Sequence, residues 1–182
     1  MKVKKTKPMP NIAFRLMSLT FALRYRFKDV RKPLNQAGIT EGQTVLDFGC
    51  GPGYYSIAAA KMVGAKGKVY SLDIQPLAAR SVEQRASKEG LTNIQTIVSD
   101  KGTGLPDQSV DTVLAYDMIH MVQDKQALKK EIYRVLKPNG IFSVLVDHVK
   151  VEDIIKILEE DGLFKLRDRQ GSLINLNRGA GK

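Results

Sequence analysis

The 182-residue chain has a single cysteine, Cys50, so no disulfide can close within it. That usage suits a reducing compartment, and a cytoplasmic location is the expectation. A structural zinc site needs ligands that the sequence does not gather around Cys50, so no metal is expected. No apolar run reaches the ~18 residues of a membrane-spanning helix. Lys2, Lys4, Lys5 and Lys7 open the chain, but the apolar run and small-residue cleavage site of a signal peptide do not follow. Acid is scarce at one end. Residues 1–40 hold ten Lys or Arg against Asp29 alone, a net +9 of the chain's +10, and the remainder is nearly neutral. Such a segment can attract a nucleic acid, an anionic membrane surface or an acidic substrate, or can simply be a solvated face. The length is that of one domain with a sizeable core.

What is present is a chain of alternating strand and helix patterns. Residues 1–10 read as a tail. Asn11 is placed to cap a helix over roughly residues 12–28, with apolar positions Ile12, Leu16, Leu19, Leu23 and Phe27 on one stripe and Phe14, Met17, Phe21 and Tyr25 on another. That helix can cover the body, act as a lid or lie on lipid. Pro33 begins a further helical turn that Gly38 ends. Strands are expected at Gln43–Phe48, Lys68–Asp73, around Ile94–Val98, Val110–Tyr116 and Ile141–Val146. Helices are expected from Tyr54 to Met62, after Pro76, after Asp124 and from Val151 to Leu158. Pro138-Asn139-Gly140 reads as a turn, and Leu163–Arg169 with Leu173–Asn177 as a hairpin. The alternation argues for an α/β fold: a mostly parallel sheet, right-handed crossovers, and helices on both faces.

The chemistry centres on Val45-Leu46-Asp47-Phe48-Gly49-Cys50-Gly51-Pro52-Gly53. Glycines at a strand-to-helix turn let a ligand approach the backbone, and the free N–H groups of the helix then face it. The spacing Gly-x-Gly-x-Gly is not that of a pyrophosphate cradle, and no Gly-Lys-Ser/Thr follows to hold a triphosphate. Asp73, Asp100 and Tyr116–His120 also lie just beyond strands. Four loops therefore converge where open α/β sheets bind ligands, at the carboxyl ends of the strands. Taken singly, Asp73 can equally cap the helix near Pro76, and Asp100 can close an Asx turn.

These motifs resemble a class I S-adenosylmethionine-dependent methyltransferase. The resemblance covers about residues 38–178. It rests on the glycine motif, Leu72-Asp73-Ile74, Ser99-Asp100, Leu105-Pro106-Asp107-Gln108-Ser109-Val110-Asp111 and Val135-Leu136-Lys137-Pro138-Asn139-Gly140, in family order. It is similar above all to the small UbiE-like enzymes of the methyltransferase type 11 group. The resemblance implies a Rossmann-like seven-stranded sheet in the order 3-2-1-4-5-7-6 with strand 7 antiparallel. It makes residues 1–40 a basic tail and helical cap, and residues 41–182 the cofactor-binding domain. It also implies S-adenosylmethionine as cofactor and S-adenosylhomocysteine as product. By position, Asp47 orients the methionine end, and Gly49, Cys50, Gly51 and Gly53 give backbone access. Asp73 accepts from the ribose hydroxyls, and Ile74 covers the adenine. Asp100, flanked by Ser99 and Lys101, accepts from the adenine amino group, while Tyr116 and Asp117 line the methyl-transfer region.

The acceptor is less marked. Tyr116-Asp117-Met118-Ile119 departs from the Asn-Pro-Pro-Tyr element used on amino groups of bases or glutamine, and one cysteine does not fit a multi-cysteine arsenic methyltransferase. A small or partly hydrophobic acceptor is expected, touched by Phe14, Phe21, Tyr25 and Tyr54. His120 is the candidate base, and His148 is a second candidate on the acceptor side; either can instead be a surface histidine. Two rival functions stand beside this one. An RNA methyltransferase or RNA-binding protein would use the basic residues 1–32 and their aromatics. A non-catalytic S-adenosylmethionine-binding interaction protein would keep the crevice without turnover.

Overall fold

The computed structural model describes residues 8–100, 102–147 and 149–181. The predicted tail (in its first seven residues), Lys101 and His148 lie outside them. Two helices, α1 (Asn11–Arg24) and α2 (Arg31–Gln36), precede the alternating part. There follow β1 (Thr44–Phe48), α3 (Tyr54–Val63), β2 (Lys68–Asp73), α4 (Pro76–Lys88), β3 (Ile94–Val98), β4 (Val110–Tyr116), α5 (Lys125–Val135), β5 (Leu136–Leu145), α6 (Val151–Glu159), β6 (Phe164–Gln170) and β7 (Leu173–Arg178). The sheet runs β3-β2-β1-β4-β5-β7-β6. The first five strands pair in parallel, and β7 is antiparallel to both β5 and β6. This is the expected Rossmann-like methyltransferase order.

Both faces of the central strands are buried, as a sheet covered by helices on either side requires. Alternate residues go to opposite sides. Leu46, Val113, Ala115 and Val144 pack with Leu128, Ile132, Ile154 and Leu158 of α5 and α6. Val45, Leu114, Tyr116 and Leu145 pack with Leu34 of α2 and with Ala58, Ala59 and Val63 of α3. Lys129, fully buried, joins α5 to the end of α6: its Nζ donates to the Ile157 carbonyl at 2.7 Å and pairs with Glu160 at 3.0 Å and Asp161 at 2.9 Å.

Three local expectations are corrected. Pro138-Asn139-Gly140 does not end an element; β5 runs through it as an irregularity. Val110 pairs with Leu136 but Thr112 pairs with Ile141, so the extra residues bulge opposite Asp111. The Asp111 carboxylate holds that bulge by accepting from Lys137 Nζ at 2.7 Å and from the Thr44 amide at 2.9 Å. The first helix begins with Asn11 inside it and Pro10 in the cap position, without a side-chain cap. It also ends at Arg24 rather than near residue 28. There the Phe27 amide closes a turn on the Arg24 carbonyl, and Arg24 and Lys28 reach toward Asp147.

Candidate active site

The glycine turn is tied to the neighbouring strand before any ligand is considered. The amides of Gly49 and Cys50 both donate to the Leu72 carbonyl, at 2.7 and 2.9 Å. The Gly51 amide donates to Asp73 Oδ2 at 2.9 Å, and the Gln75 amide donates to Asp73 Oδ1 at 2.8 Å. Asp73 is therefore held in one plane by two backbone amides, and each oxygen keeps a lone pair for a further donor. The competing reading of Asp73 as a helix cap is only half realised. It makes the Asx-type contact to Gln75, but the cap of α4 is Gln75, whose side chain accepts from the Leu77 amide.

The glycines do different work. A Cβ on Gly53 would sit 2.5 Å from Val82 Cγ2, so this glycine lets α3 start hard against α4. A Cβ on Gly51 would meet nothing within 4 Å. Gly51 thus borders open space on the ligand side of the turn, with φ at +50°. Cys50 is buried, its thiol 3.8 Å from the Gly51 carbonyl, and burial pushes that thiol well above its usual value. Its side chain packs with Phe14, Ala78 and Val82.

Asp47 is 2% exposed at the end of β1. Burial raises its carboxyl to about 6, against a hydrogen bond from Ser56 Oγ at 2.5 Å, with the nearby Asp73 charge adding to the rise. Burial raises Asp73 too, opposed by the amides of Gln75, Gly51 and Ile74. Two carboxyls that burial holds back from ionisation, one of them bonded to a glycine that borders open space, suit a cation with hydroxyl donors. That matches the sulfonium, ammonium and ribose of S-adenosylmethionine, so these residues fit the cofactor. Ser99 reaches the same corner through its amide, 3.2 Å from the Asp73 carbonyl, and Asp100 follows it, exposed.

The β4 edge closes the other side. Asp117 takes φ +57°, and its amide donates to the Leu145 carbonyl at 2.9 Å. Met118 then folds over the glycine turn; a Cβ on Gly49 would lie 2.9 Å from Met118 Cγ. His120 sits in the single 3₁₀ turn Ile119–Met121. Its Nδ1 is buried and meets no hydrogen-bond partner among the described residues.

The helix α1 lies across this end of the sheet. At its start, beside α4, the Met9 carbonyl accepts from Gln75 Nε2 at 2.7 Å, and Phe14, 4% exposed, covers Cys50. At its other end, Tyr25 packs on Tyr54 at 4.7 Å and on the edge of Tyr55 at 5.5 Å, and Tyr55 meets Tyr116 at 4.8 Å. Phe21 touches this cluster through Tyr25 at 5.7 Å. Arg24 pairs with Asp147 and approaches Asp117 at 3.9 Å, and Lys28 lies 3.4 Å from Asp147. Burial works against ionised Asp147, but Lys28 and Arg24 overcome it and hold the carboxyl below its ordinary value. Of the residues expected to touch the acceptor, Tyr25 and Tyr54 meet in one cluster. Phe14 stands apart, against Cys50, Ala78 and Val82. The sequence reading missed Met118, Ser56 and the Arg24–Asp147 pair. An acid directly after the fifth strand was the available signal for the last.

A family profile described as a methyltransferase domain matches residues 39–170. The chain is 36% identical over 120 residues to a demethylmenaquinone methyltransferase of Geobacillus stearothermophilus, covering 65% of this chain and 50% of that protein. It is 32% identical over 146 residues to the ubiquinone/menaquinone biosynthesis C-methyltransferase UbiE of Hydrogenovibrio crunogenus, covering 79% and 58%. The chain thus spans little more than half the length of these relatives. A solved structure of a SAM-dependent methyltransferase from Aquifex aeolicus superimposes with a TM-score of 0.73 at 28% identity, covering 83% of this chain and 88% of that one. With the strand order, the glycine turn and the paired carboxylates already in place, this chain belongs to the class I S-adenosylmethionine-dependent methyltransferases, in their UbiE-like branch.

Proposed function

We propose that this chain transfers a methyl group from S-adenosylmethionine to a small, partly apolar acceptor held under α1 at the carboxyl ends of β4 and β5. The observation that carries the reading is the open space beside Gly51, whose amide donates to Asp73, with the buried carboxyl of Asp47 near enough to feel the Asp73 charge. When bound, S-adenosylmethionine supplies a methyl group already activated on a sulfonium. The chain's part is to bind, orient and exclude water. Asp73 would accept from the ribose hydroxyls, Ile74 would cover the adenine, and Ser99 and Asp100 would meet its edge. Asp47 would hold the methionine end.

Tyr25 and Tyr54 are the half-buried members of the tyrosine cluster and stand over the buried Tyr55 and Tyr116, whose own hydroxyl bonds Ser143 and the Pro33 carbonyl. Such a lining favours a planar, partly apolar acceptor, as do relatives named for quinone biosynthesis. A phenol or carbon acid must lose a proton as it is methylated, and the unpaired Nδ1 of His120 is a reasoned place for it. His148, outside the described residues, is the second candidate that the sequence offers. Family membership lends no support to the RNA-directed or non-catalytic alternatives.

The test is calorimetry with S-adenosylmethionine and S-adenosylhomocysteine, on the wild type and Asp73→Ala, followed by transfer of labelled methyl to a demethylated naphthoquinol. Stoichiometric binding, weakened roughly tenfold or more by loss of the charge-assisted hydrogen bonds, and label in the quinol are expected. Absence of cofactor binding by folded, ligand-free protein would overturn the reading.

A further inference from the structure

The helix α1 carries two apolar stripes on opposite sides, and only one is used. Phe14, Met17, Phe21 and Tyr25 face the body. Ile12, Leu16, Leu19 and Leu23 fall within an arc of about 60° at 3.6 residues per turn, facing away, and Phe27 follows in the turn beyond. These five side chains are 62% to 83% exposed. The helix cannot hide them by rotating. Buried Phe14 at one end and the Arg24–Asp147 pair with Tyr25 at the other fix its orientation. A contiguous apolar stripe left in water marks a contact surface.

We propose that this outer face of α1 docks on an anionic lipid bilayer, and, resting on the methyltransferase reading above, that the acceptor reaches the tyrosine cluster from that bilayer. Charge selects the occupant. Residues 1–28 contain no Asp or Glu, and Lys2, Lys4, Lys5, Lys7, Arg15, Arg24, Arg26 and Lys28 are all cationic. Arg24 and Lys28 are spent on Asp147, but Arg15, beside the stripe on the helix, and Arg26, next to Phe27 in the turn beyond, are exposed. Arg31 and Lys32 are exposed at the start of α2. A bilayer rich in anionic headgroups satisfies both features at once: acyl boundary for the leucines, negative surface potential for the cations. A second copy of the chain would bring two cationic helices face to face. An RNA would use the cations but leave four aliphatic side chains idle, since bases stack on aromatics and the outer stripe offers only Phe27. The docked helix would separate the bilayer from the tyrosines by about one helix diameter, ~10 Å.

The experiment is co-sedimentation of the full chain with vesicles of phosphatidylcholine and phosphatidylglycerol in equal parts, compared with phosphatidylcholine alone. The variants are Leu19→Glu/Leu23→Glu and, as a milder pair that keeps the helix neutral, Leu19→Ser/Leu23→Ser. Wild type should bind the anionic vesicles at least about tenfold more tightly than the neutral ones, and each variant should lose roughly tenfold or more. Circular dichroism and the affinity for S-adenosylmethionine should stay at wild-type values. Three results would overturn docking: no binding to anionic vesicles, binding that both variants retain, or a concentration-dependent dimer that the variants dissolve without vesicle binding. Equal methylation by wild type and variants of a naphthoquinol embedded in the vesicles would overturn delivery from the bilayer. Cofactor calorimetry keeps the two readings separate. Vesicle binding without cofactor binding refutes the methyltransferase reading and leaves docking standing.

Discussion

Replacing Asp47 by asparagine should make the cofactor-free protein more stable at neutral pH while making it a poorer binder. The carboxyl is buried at the end of β1 and sits at about 6, against 3.8 for an ordinary aspartate. Its folded value lies above its unfolded one, so the folded state is the better proton binder. Stability from this group is therefore complete below 3.8, is lost as pH rises toward about 6, and is flat beyond. The gap between the two values corresponds to roughly 2–3 kcal/mol of penalty carried at pH 8. Asparagine is nearly the same shape, can still accept from Ser56 Oγ, and never ionises. In a chain of this length the relieved penalty corresponds to a melting temperature higher by about 5–10 °C. Thermal unfolding followed by circular dichroism at pH 4 and pH 8 measures it. The variant should gain at pH 8, gain little at pH 4, and lack the wild-type decline between them. Calorimetry on the same samples should show S-adenosylmethionine bound roughly tenfold or more weakly, because a charge-assisted contact to a cation is gone. A variant no more stable than wild type at pH 8, or one with the same pH dependence, would refute the burial argument.

Two further expectations come from the same crevice. Gly53→Ala should destabilise by about 3–5 kcal/mol, since its Cβ would strike Val82 2.5 Å away and its φ of +86° adds the cost of a left-handed side chain. Gly51→Ala faces open space, so it should keep within about 1–2 kcal/mol of wild type in urea unfolding yet lose cofactor affinity; equal stability losses for the two would refute the division of labour. His120→Gln should lower kcat by roughly a hundredfold for an acceptor that must lose a proton, with the S-adenosylmethionine Kd unchanged in calorimetry, and an unchanged kcat would remove His120 as the base.

The core of the fold was legible because its signals are local. Lys68–Asp73 and Val110–Tyr116 are short apolar runs bounded by glycine, proline or aspartate, and they form strands with those limits. The glycine turn and Asp73 could be placed together because strand ends in a parallel sheet share one edge. What escaped was set by partners far along the chain. The β5 bulge depends on Asp111 holding Lys137 and Thr44 across two other strands, so Pro138-Asn139-Gly140 read as an ordinary turn. Met118 over Gly49 is a contact between residues 69 apart, and nothing in Tyr116-Asp117-Met118 announces it.

The first helix shows most clearly where sequence reading stops. Both of its stripes are apolar, so periodicity identifies a helix but cannot say which side faces in. The decision is made by groups that periodicity ignores. Arg24 and Lys28 are drawn to Asp147, 123 and 119 residues away. Tyr25, on the same side as Phe14 and Phe21, goes down onto Tyr54 and Tyr55 with it. Ion pairs with exposed partners contribute little net stability, so their effect here is orientation rather than strength. They select between two faces that burial alone would value almost equally.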